Sequence, residues 1–187
     1  MTLVAAALVV ALLIAFPLAI VALRRPRLSP LILGTLGAVY TIPSLALLAL
    51  LVQAFGLGTL PIFIALVAYG QFILVRNIQA GLTSVDPAQR DTALGIGMSP
   101  WQSLLRIEIP LAMPIIIGGV RIAAVAMIAM ATLGAYVGGT GLGTLIFTGL
   151  TLHHNDEIVA GSIAASALAI ISDGALRLAE GAVRRSL

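Results

Sequence analysis

The sequence predicts an all-α integral membrane protein that crosses the bilayer about five times. Of its 187 residues, 60% are hydrophobic and only 9% are charged, whereas soluble domains average about 45–50% apolar and about 25% charged residues. The apolar residues gather in five long runs, and most arginines fall at the ends of those runs. No internal repeat or low-complexity tail interrupts the pattern. We therefore expect residues 1–187 to form a single transmembrane domain.

Each of the five runs approaches the length of a membrane-spanning helix. A bilayer core of about 30 Å needs roughly 20 apolar residues in a helix. The first run is followed by arginines rather than preceded by them, which is the reverse of a signal peptide, so we interpret it as a retained span. The five predicted spans are 3–23 and 31–53, which carry no charge, 60–75, 113–136 with Arg121, and 157–180 with Asp173 and Arg177.

The arginines also predict the orientation, because cytoplasmic loops are enriched in Lys and Arg. When the loop 24–30 is placed inside and the spans are threaded alternately, the connections 54–59 and 137–156 lie outside and contain no Arg. Arg121, a short way into its span, can extend its side chain inward. This threading predicts an external N-terminus, a cytoplasmic C-terminus and a cytoplasmic loop at about 78–112.

The composition also excludes several classes of chemistry. All ten basic residues are arginines, so the chain lacks the lysine of a phosphate-binding loop, and any ATP and Mg²⁺ belong to a partner. The arginines form no patch with interleaved aromatics, which argues against nucleic-acid binding. Two adjacent histidines without cysteine cannot complete a metal site or a catalytic triad. We therefore expect neither an enzyme nor a bound metal or cofactor.

The stretch 86–110 is a polar island with two helix starts. Asp86-Pro87 predicts a capped helix that runs to about Leu94, and Ser99-Pro100 predicts a second one, with Gln102 completing a capping box. Gly95 and Gly97 separate them, and Pro110 is expected to end the second helix. Two short helices of this kind either lie in the membrane interface or dock into a groove on a soluble partner.

The same stretch carries a resemblance to a known family. Asp91-Thr92-Ala93, then Gly97, then Ile107-Glu108-Ile109-Pro110 resembles the cytoplasmic EAA signature of ABC importer permeases, with Asp for Glu, Thr for Ala and Ile for Leu. Residues 41–50, 95–123 and 138–150 are similar to its osmoprotectant branch, which handles glycine betaine, carnitine, choline and proline betaine. Many relatives have a longer segment before the first span.

The resemblance implies a type I, MetI-like permease fold in a bacterial or archaeal inner membrane. It implies three kinds of partner: a second permease subunit, identical or related, two cytoplasmic ATPase subunits, and an extracytoplasmic substrate-binding protein. The loop would then couple the permease to the ATPase. The coupling residues that it implies are Asp91, Thr92, Ala93, Gly97, Met98, Trp101, Ile107 and Pro110.

A second group of candidates lies around Pro43, in the middle of the second span. A proline there is either a tolerated kink or a bend that lines a pathway, and neighbouring hydroxyls can satisfy the freed carbonyls. Three tyrosines and Phe72 are expected to contact a solute in transit. The candidate pathway residues are Tyr40, Thr41, Pro43, Ser44, Tyr69 and Tyr136.

Two further features of the spans have structural explanations. Asp173 is a charge inside a span, for which we expect pairing with Arg177 four residues on rather than a translocation role. The small residues of the last span favour close packing. The glycine-rich stretch 138–143 favours either close packing or contact with the binding protein.

Other functions remain open on the sequence alone. A permease of the same architecture for an amino acid or another small zwitterion fits the same residues. A self-contained carrier would normally show an inverted repeat and ionisable midplane residues. A membrane scaffold whose loop recruits a soluble protein is the remaining alternative.

Overall fold

The computed structural model describes residues 1–186, and every element in that range is helical. A π-helical segment at Leu104–Glu108 and a 3₁₀ turn at Gly134–Val137 flank the seventh helix. The nine α-helices of the described range are α1 (Thr2–Arg24), α2 (Ser29–Thr41), α3 (Ser44–Phe55), α4 (Thr59–Thr83), α5 (Pro87–Gly95), α6 (Pro100–Ser103), α7 (Ile109–Leu133), α8 (Leu142–Leu152) and α9 (Asn155–Ser186).

The number of spans agrees with the sequence prediction, but the second span has a different form. Four helical stretches are long and apolar enough to cross a membrane, namely Thr2–Arg24, Thr59–Thr83, Pro100–Val137 and Asn155–Leu178. The pair α2 and α3 makes a fifth crossing if its halves count as one span. The bend predicted at Pro43 is present, but it is a full break rather than a kink, because the two halves meet at an angle of 92°.

Helix α4 lies at the centre of the bundle, between α1 and α7. The face of α1 that packs on it is a row of alanines four residues apart, Ala7, Ala11, Ala15 and Ala19, each fully buried. Small side chains let two backbones approach closely, which matters in a bilayer because lipid tails give helices little hydrophobic reason to associate. The alanine row therefore fixes α1 against α4 by close contact.

Glycines bring α4 and α7 together in the same way. A Cβ added at Gly119 of α7 would lie 2.2 Å from the Cβ of Asn77, and one at Gly81 of α4 would lie 3.1 Å from the carbonyl oxygen of Ala112. Helix α4 also continues to Thr83, beyond the predicted end at 75, because its last turns bury apolar side chains such as that of Leu82.

Pro110 does not end the second loop helix, contrary to the sequence prediction. The helix that starts at Pro100 runs without a break through the π-helical segment into α7. There the Ile109 N–H bonds to the Leu104 carbonyl, five residues back instead of four. The wider turn removes the crowding that a proline ring causes in a regular α-helix, so Pro110 lies in the first turn of α7.

The connection 137–156 contains a helix that the sequence analysis missed. Helix α8 lies within this predicted external connection and packs against α9. A Cβ at Gly143 would lie 2.0 Å from the Thr132 carbonyl oxygen, so the glycine-rich stretch does serve close packing. At eleven residues, α8 is too short to give a membrane-span signal.

The two ends of the bundle differ in composition. One end has a pocket of 840 Å³ that is bordered by Met1, Thr59 and Gly139. The other end has a pocket of 260 Å³ that is bordered by the charged residues Arg24, Arg90 and Glu108. We call the second end, which carries α5 and α6, the loop end. This arrangement agrees with the alternate threading of the spans, while the side of the membrane that each end faces stays a prediction.

Candidate functional site

The turn after α5 requires a glycine. The predicted cap at its start is confirmed, because the Asp86 carboxylate accepts from the Ala88 N–H at 2.9 Å. At its end the Met98 N–H bonds to the Ala93 carbonyl at 3.1 Å and the Gly97 N–H bonds to the Leu94 carbonyl at 3.0 Å. This is the Schellman pattern, in which the residue after the helix is left-handed. Gly97 has a φ of +90°, so it sets the angle between α5 and α6.

The start of α6 has the predicted capping box. The Ser99 hydroxyl accepts from the Gln102 N–H at 3.3 Å, and the Gln102 side-chain oxygen accepts from the Ser99 N–H at 2.8 Å. Two backbone donors are thereby satisfied reciprocally. Since α6 is continuous with α7 through the π-helical segment, the capping box marks the free tip of a long helix.

A buried carboxylate that the sequence analysis did not single out ties α5 to this long helix. Glu108, 6% exposed, accepts from the Arg90 guanidinium at 2.6 Å and from the Ser103 hydroxyl at 3.2 Å. A buried carboxylate is costly unless it is paired and hydrogen-bonded. The only signal in the sequence was one acidic residue in the apolar run Ile107-Glu108-Ile109-Pro110.

The loop end exposes apolar side chains despite this internal order. Ile96 is 72% exposed, Leu105 55% and Trp101 53%, and the Arg24 guanidinium lies 4.9 Å from the centroid of the Trp101 ring. Several exposed apolar side chains at the same end of a bundle are typical of a surface that meets a protein or a membrane. We call Leu94, Ile96, Trp101 and Leu105 the loop patch.

The predicted coupling residues divide between this surface and its support. Thr92, Ala93, Met98 and Ile107 border a hollow of 440 Å³ between α5 and the start of α7. The exposed members of the predicted set are Asp91, Thr92, Gly97 and Trp101, Ala93 is buried, and Met98, Ile107 and Pro110 are half-buried. Pro110 belongs to α7 rather than to the loop.

Three hydrogen bonds hold the break between α2 and α3 on the side before Pro43. The Thr41 hydroxyl donates to the Ala38 carbonyl at 2.8 Å, and the Ile42 N–H bonds to the Val39 carbonyl at 3.2 Å. The Tyr69 hydroxyl of α4 donates to the Ile42 carbonyl. Unsatisfied backbone groups are expensive in a membrane, so these bonds stabilise a 92° bend that a proline kink alone does not explain.

A cavity of 310 Å³ lies beside this break and α7. We call it the break cavity. Of the predicted pathway residues, Tyr40, Ser44 and Tyr69 border it, together with Gly70, Met127 and Met130. Thr41 and Pro43 are exposed at the bend. Tyr136 lies elsewhere, 70% exposed and with its ring 5.6 Å from that of Phe147.

Three aromatic rings form a cluster next to the break cavity, and two of them, those of Tyr40 and Tyr69, border it. The Tyr40 centroid lies 5.5 Å from that of Tyr69 and 5.2 Å from that of Phe72. Phe72 in turn packs on α2, with a ring carbon 3.4 Å from where a Cβ of Gly37 would lie. The sequence predicted these residue types for contact with a solute, and the fold brings three of its four aromatic candidates together.

The charge in the last span has a closer partner in addition to the predicted one. Asp173 accepts from two nitrogens of Arg121 on α7, at 3.0 and 3.2 Å, and Glu180 accepts from a third at 2.6 Å. The predicted pair with Arg177 is also present, as a longer and more exposed contact of 4.0 Å. The ion pairs join α9 to α7, so Arg121 and Asp173 compensate each other inside the bundle.

Known proteins match this chain over nearly its whole length. A family model described as "Binding-protein-dependent transport system inner membrane component" matches residues 7–185. The carnitine transport permease protein OpuCB of Listeria monocytogenes is 37% identical over 185 residues, covering 96% of this chain and 85% of the relative. The glycine betaine/carnitine/choline transport system permease protein OpuCB of Bacillus subtilis is 36% identical over 174 residues, covering 93% and 80%. The osmoprotectant import permease protein OsmW of Salmonella typhimurium is 37% identical over 176 residues, covering 91% and 82%.

Solved structures share the fold. The MetNI methionine ABC transporter in an inward-facing conformation has a chain that matches with a TM-score of 0.87 at 16% identity, covering 97% of this chain and 91% of its own. An amino acid ABC transporter with histidines has one that matches with a TM-score of 0.75 at 18% identity, covering 100% and 89%. Likeness at these identities concerns the architecture alone.

Proposed function

Because the chain belongs to the family of binding-protein-dependent transport system inner membrane components, we propose that it is the permease subunit of an ABC importer for osmoprotectants. Its fold is the MetI-like permease fold, as the sequence predicted, and such permeases are transporters rather than enzymes. The proposed solutes are small quaternary ammonium compounds: glycine betaine, choline, carnitine or proline betaine. The similarity to permeases named for these solutes, at 36–37% identity over most of the chain, carries the proposal.

The loop end is the proposed contact with an ATPase subunit. The loop patch offers exposed apolar side chains, and the Arg90–Glu108 pair holds α5 firmly against the long helix behind it. A rigid base with an apolar face is what a helix-in-groove contact needs. In this arrangement two ATPase subunits bind ATP and Mg²⁺, and the permease chain binds no cofactor of its own.

The remaining features fit the same assembly. A second permease subunit, identical or related, completes the pathway, and an extracytoplasmic binding protein delivers the solute to the end opposite the loop. The arginine-rich loop end then faces the cytoplasm, with the N-terminus outside and the C-terminus inside. The break cavity, with Tyr40, Ser44 and Tyr69, lies beside the pathway in each permease subunit.

Purification of the intact complex tests this assignment. A tag on this chain should recover an ATPase subunit in equal amount, and the reconstituted complex with its binding protein should take up labelled choline or glycine betaine only with ATP. Uptake of an amino acid but of no quaternary ammonium compound would replace the solute class. Uptake by this chain alone without ATP would contradict the importer and favour a self-contained carrier.

A pair of charge reversals tests the coupling role of the loop. Asp91 and Asp156 are both exposed, but Asp91 lies on α5 at the loop end and Asp156 begins α9. Asp91→Arg should lower ATP-driven uptake while the complex stays assembled, whereas Asp156→Arg should leave the ATPase contact unchanged. Equal ATPase activity and uptake in both variants would remove Asp91 from the docking surface.

A further inference from the structure

We propose that the break cavity is a transit site in which the ring of Tyr40 binds the quaternary ammonium group of the solute. The inference rests on the proposed function and adds to it a residue and a binding mode inside the permease. Three features of the protein support this binding mode: the chemistry of the cavity lining, the exposed face of an aromatic cluster, and the position of that cluster at the broken helix.

The lining suits a cation that makes no hydrogen bonds. Among the described residues that border the cavity, none is charged, and the polar side chains are those of Tyr40, Ser44 and Tyr69. The Tyr69 hydroxyl already donates to the Ile42 carbonyl. A primary ammonium has three N–H donors to satisfy, which two remaining hydroxyls cannot do. A quaternary ammonium has no N–H donor, so its transfer into this cavity leaves no donor unpaired.

The aromatic cluster supplies the attraction that such a cation needs. A cation within about 6 Å of a ring centroid is attracted to the face of that ring. Phe72, at the back of the cluster, already has the Arg76 guanidinium 5.9 Å from its centroid. Tyr40, at the front, borders the cavity and is 38% exposed. Tyr69 also borders the cavity but is half-buried, so Tyr40 presents the more exposed ring to a solute in the cavity.

The size and place of the cavity agree with a small solute in passage. At 310 Å³ it lies at the lower end of the range of ligand sites, about 300–1,000 Å³. Its walls come from both sides of the α2–α3 break, from α4 and from α7. Movement between these helices would open or close it. A site with one aromatic wall and no carboxylate also binds weakly, which allows the solute to leave.

Saturation-transfer NMR measures this binding directly. The permease–ATPase complex is purified through this chain and placed in lipid nanodiscs without the binding protein, and transfer from aromatic protons to the N-methyl protons of choline is titrated. The variants are Tyr40→Leu, which removes the ring, and Tyr40→Phe, which keeps it. Phe55→Leu is the control, because Phe55 is an exposed aromatic at the far end of α3 that does not border the cavity.

The expected result is saturable binding of choline that Tyr40→Leu weakens by about 5- to 30-fold, while Tyr40→Phe and Phe55→Leu stay close to wild type. Dimethylaminoethanol and ethanolamine should compete progressively less well for the site. Equal choline affinity in Tyr40→Leu and wild type overturns the inference, and so does equal loss in Tyr40→Leu and Tyr40→Phe. If Tyr40→Leu does not assemble, the solute series on the wild-type complex decides, and ethanolamine competing as well as choline overturns the inference.

Uptake with the binding protein separates this inference from the proposed function. If wild-type proteoliposomes take up choline with ATP, but choline binding in the NMR titration does not depend on Tyr40, only the transit site is contradicted. Wild-type proteoliposomes that take up no quaternary ammonium compound contradict the proposed solute class.

Discussion

Replacement of Gly97 by alanine should loosen the turn between α5 and α6 by a predictable amount. Gly97 has a φ of +90°, and a Cβ built on it meets no atom within 4 Å. The substitution therefore causes no clash, and its cost is that of placing an L-residue in left-handed backbone, roughly 1–2 kcal/mol. This corresponds to about a 5- to 30-fold lower population of the native turn.

Gly95 gives a matched control two residues away. It is the last residue of α5, has no positive φ, and likewise has open space around a built Cβ. Gly95→Ala should be neutral or stabilise α5, by up to about 1 kcal/mol. The two variants differ only in the backbone conformation that they replace, so a difference between them isolates the left-handed turn.

Hydrogen exchange and ATPase measurements on the assembled complex read out the effect. The amide of Met98, which bonds to the Ala93 carbonyl, should exchange faster in Gly97→Ala than in wild type, and stimulation of ATPase activity by the loaded binding protein should fall. Neither change is expected in Gly95→Ala. If both variants protect the Met98 amide equally and keep full stimulation, the turn does not depend on Gly97 and our account of the loop is wrong.

Three further substitutions test the packing and the anchors. Gly119→Ala places a methyl group 2.2 Å from a side-chain carbon of α4, so it should lower the free energy of unfolding by about 1–3 kcal/mol and with it the thermal midpoint of the complex. The control Gly118→Ala has open space around the added methyl group and should leave that midpoint unchanged or raised. Glu108→Gln should lower the free energy of unfolding by about 1–2 kcal/mol, less than the loss of a fully buried ion pair, because Arg90 is 41% exposed. A double-mutant cycle with Arg90→Gln that gives no coupling energy would contradict a stabilising Arg90–Glu108 pair. Tyr69→Phe leaves the Ile42 carbonyl at the break without the hydroxyl donor. It should lower the free energy of unfolding by about 1–3 kcal/mol, which is measured as a lower thermal midpoint.

The sequence predicts best those features that depend on neighbouring residues. The caps at Asp86 and Ser99 are recognisable because each satisfies a backbone N–H two or three residues on. The spans are recognisable because a bilayer demands a fixed apolar length. The glycine turn at Gly97 is recognisable for the same local reason, since a glycine after a helix is typical of an end closed by left-handed backbone.

Contacts between distant residues were missed. Spacing along one helix correctly predicted the pair of Asp173 with Arg177, but not the shorter contact with Arg121, which lies 52 positions away. Glu108 reaches Arg90 across 18 positions. Pro43 predicts a kink but not its angle, because the 92° bend also depends on a hydroxyl from α4. Such contacts exist only after the helices have packed, so no local pattern encodes them.

The continuity of α6 with α7 gives a physical route between the loop patch and the break cavity. The stretch Pro100–Val137 is one helical path of 38 residues, with Trp101 exposed at its tip and Met127 in the cavity wall. At 1.5 Å per residue these two side chains are about 39 Å apart along one element. The opposite wall, with Tyr40, belongs to α2 and is held to α4 through the aromatic cluster. We therefore expect a displacement of the tip to reach the α7 wall of the cavity through this one helix, with Pro110 and the π-helical segment lying between the two.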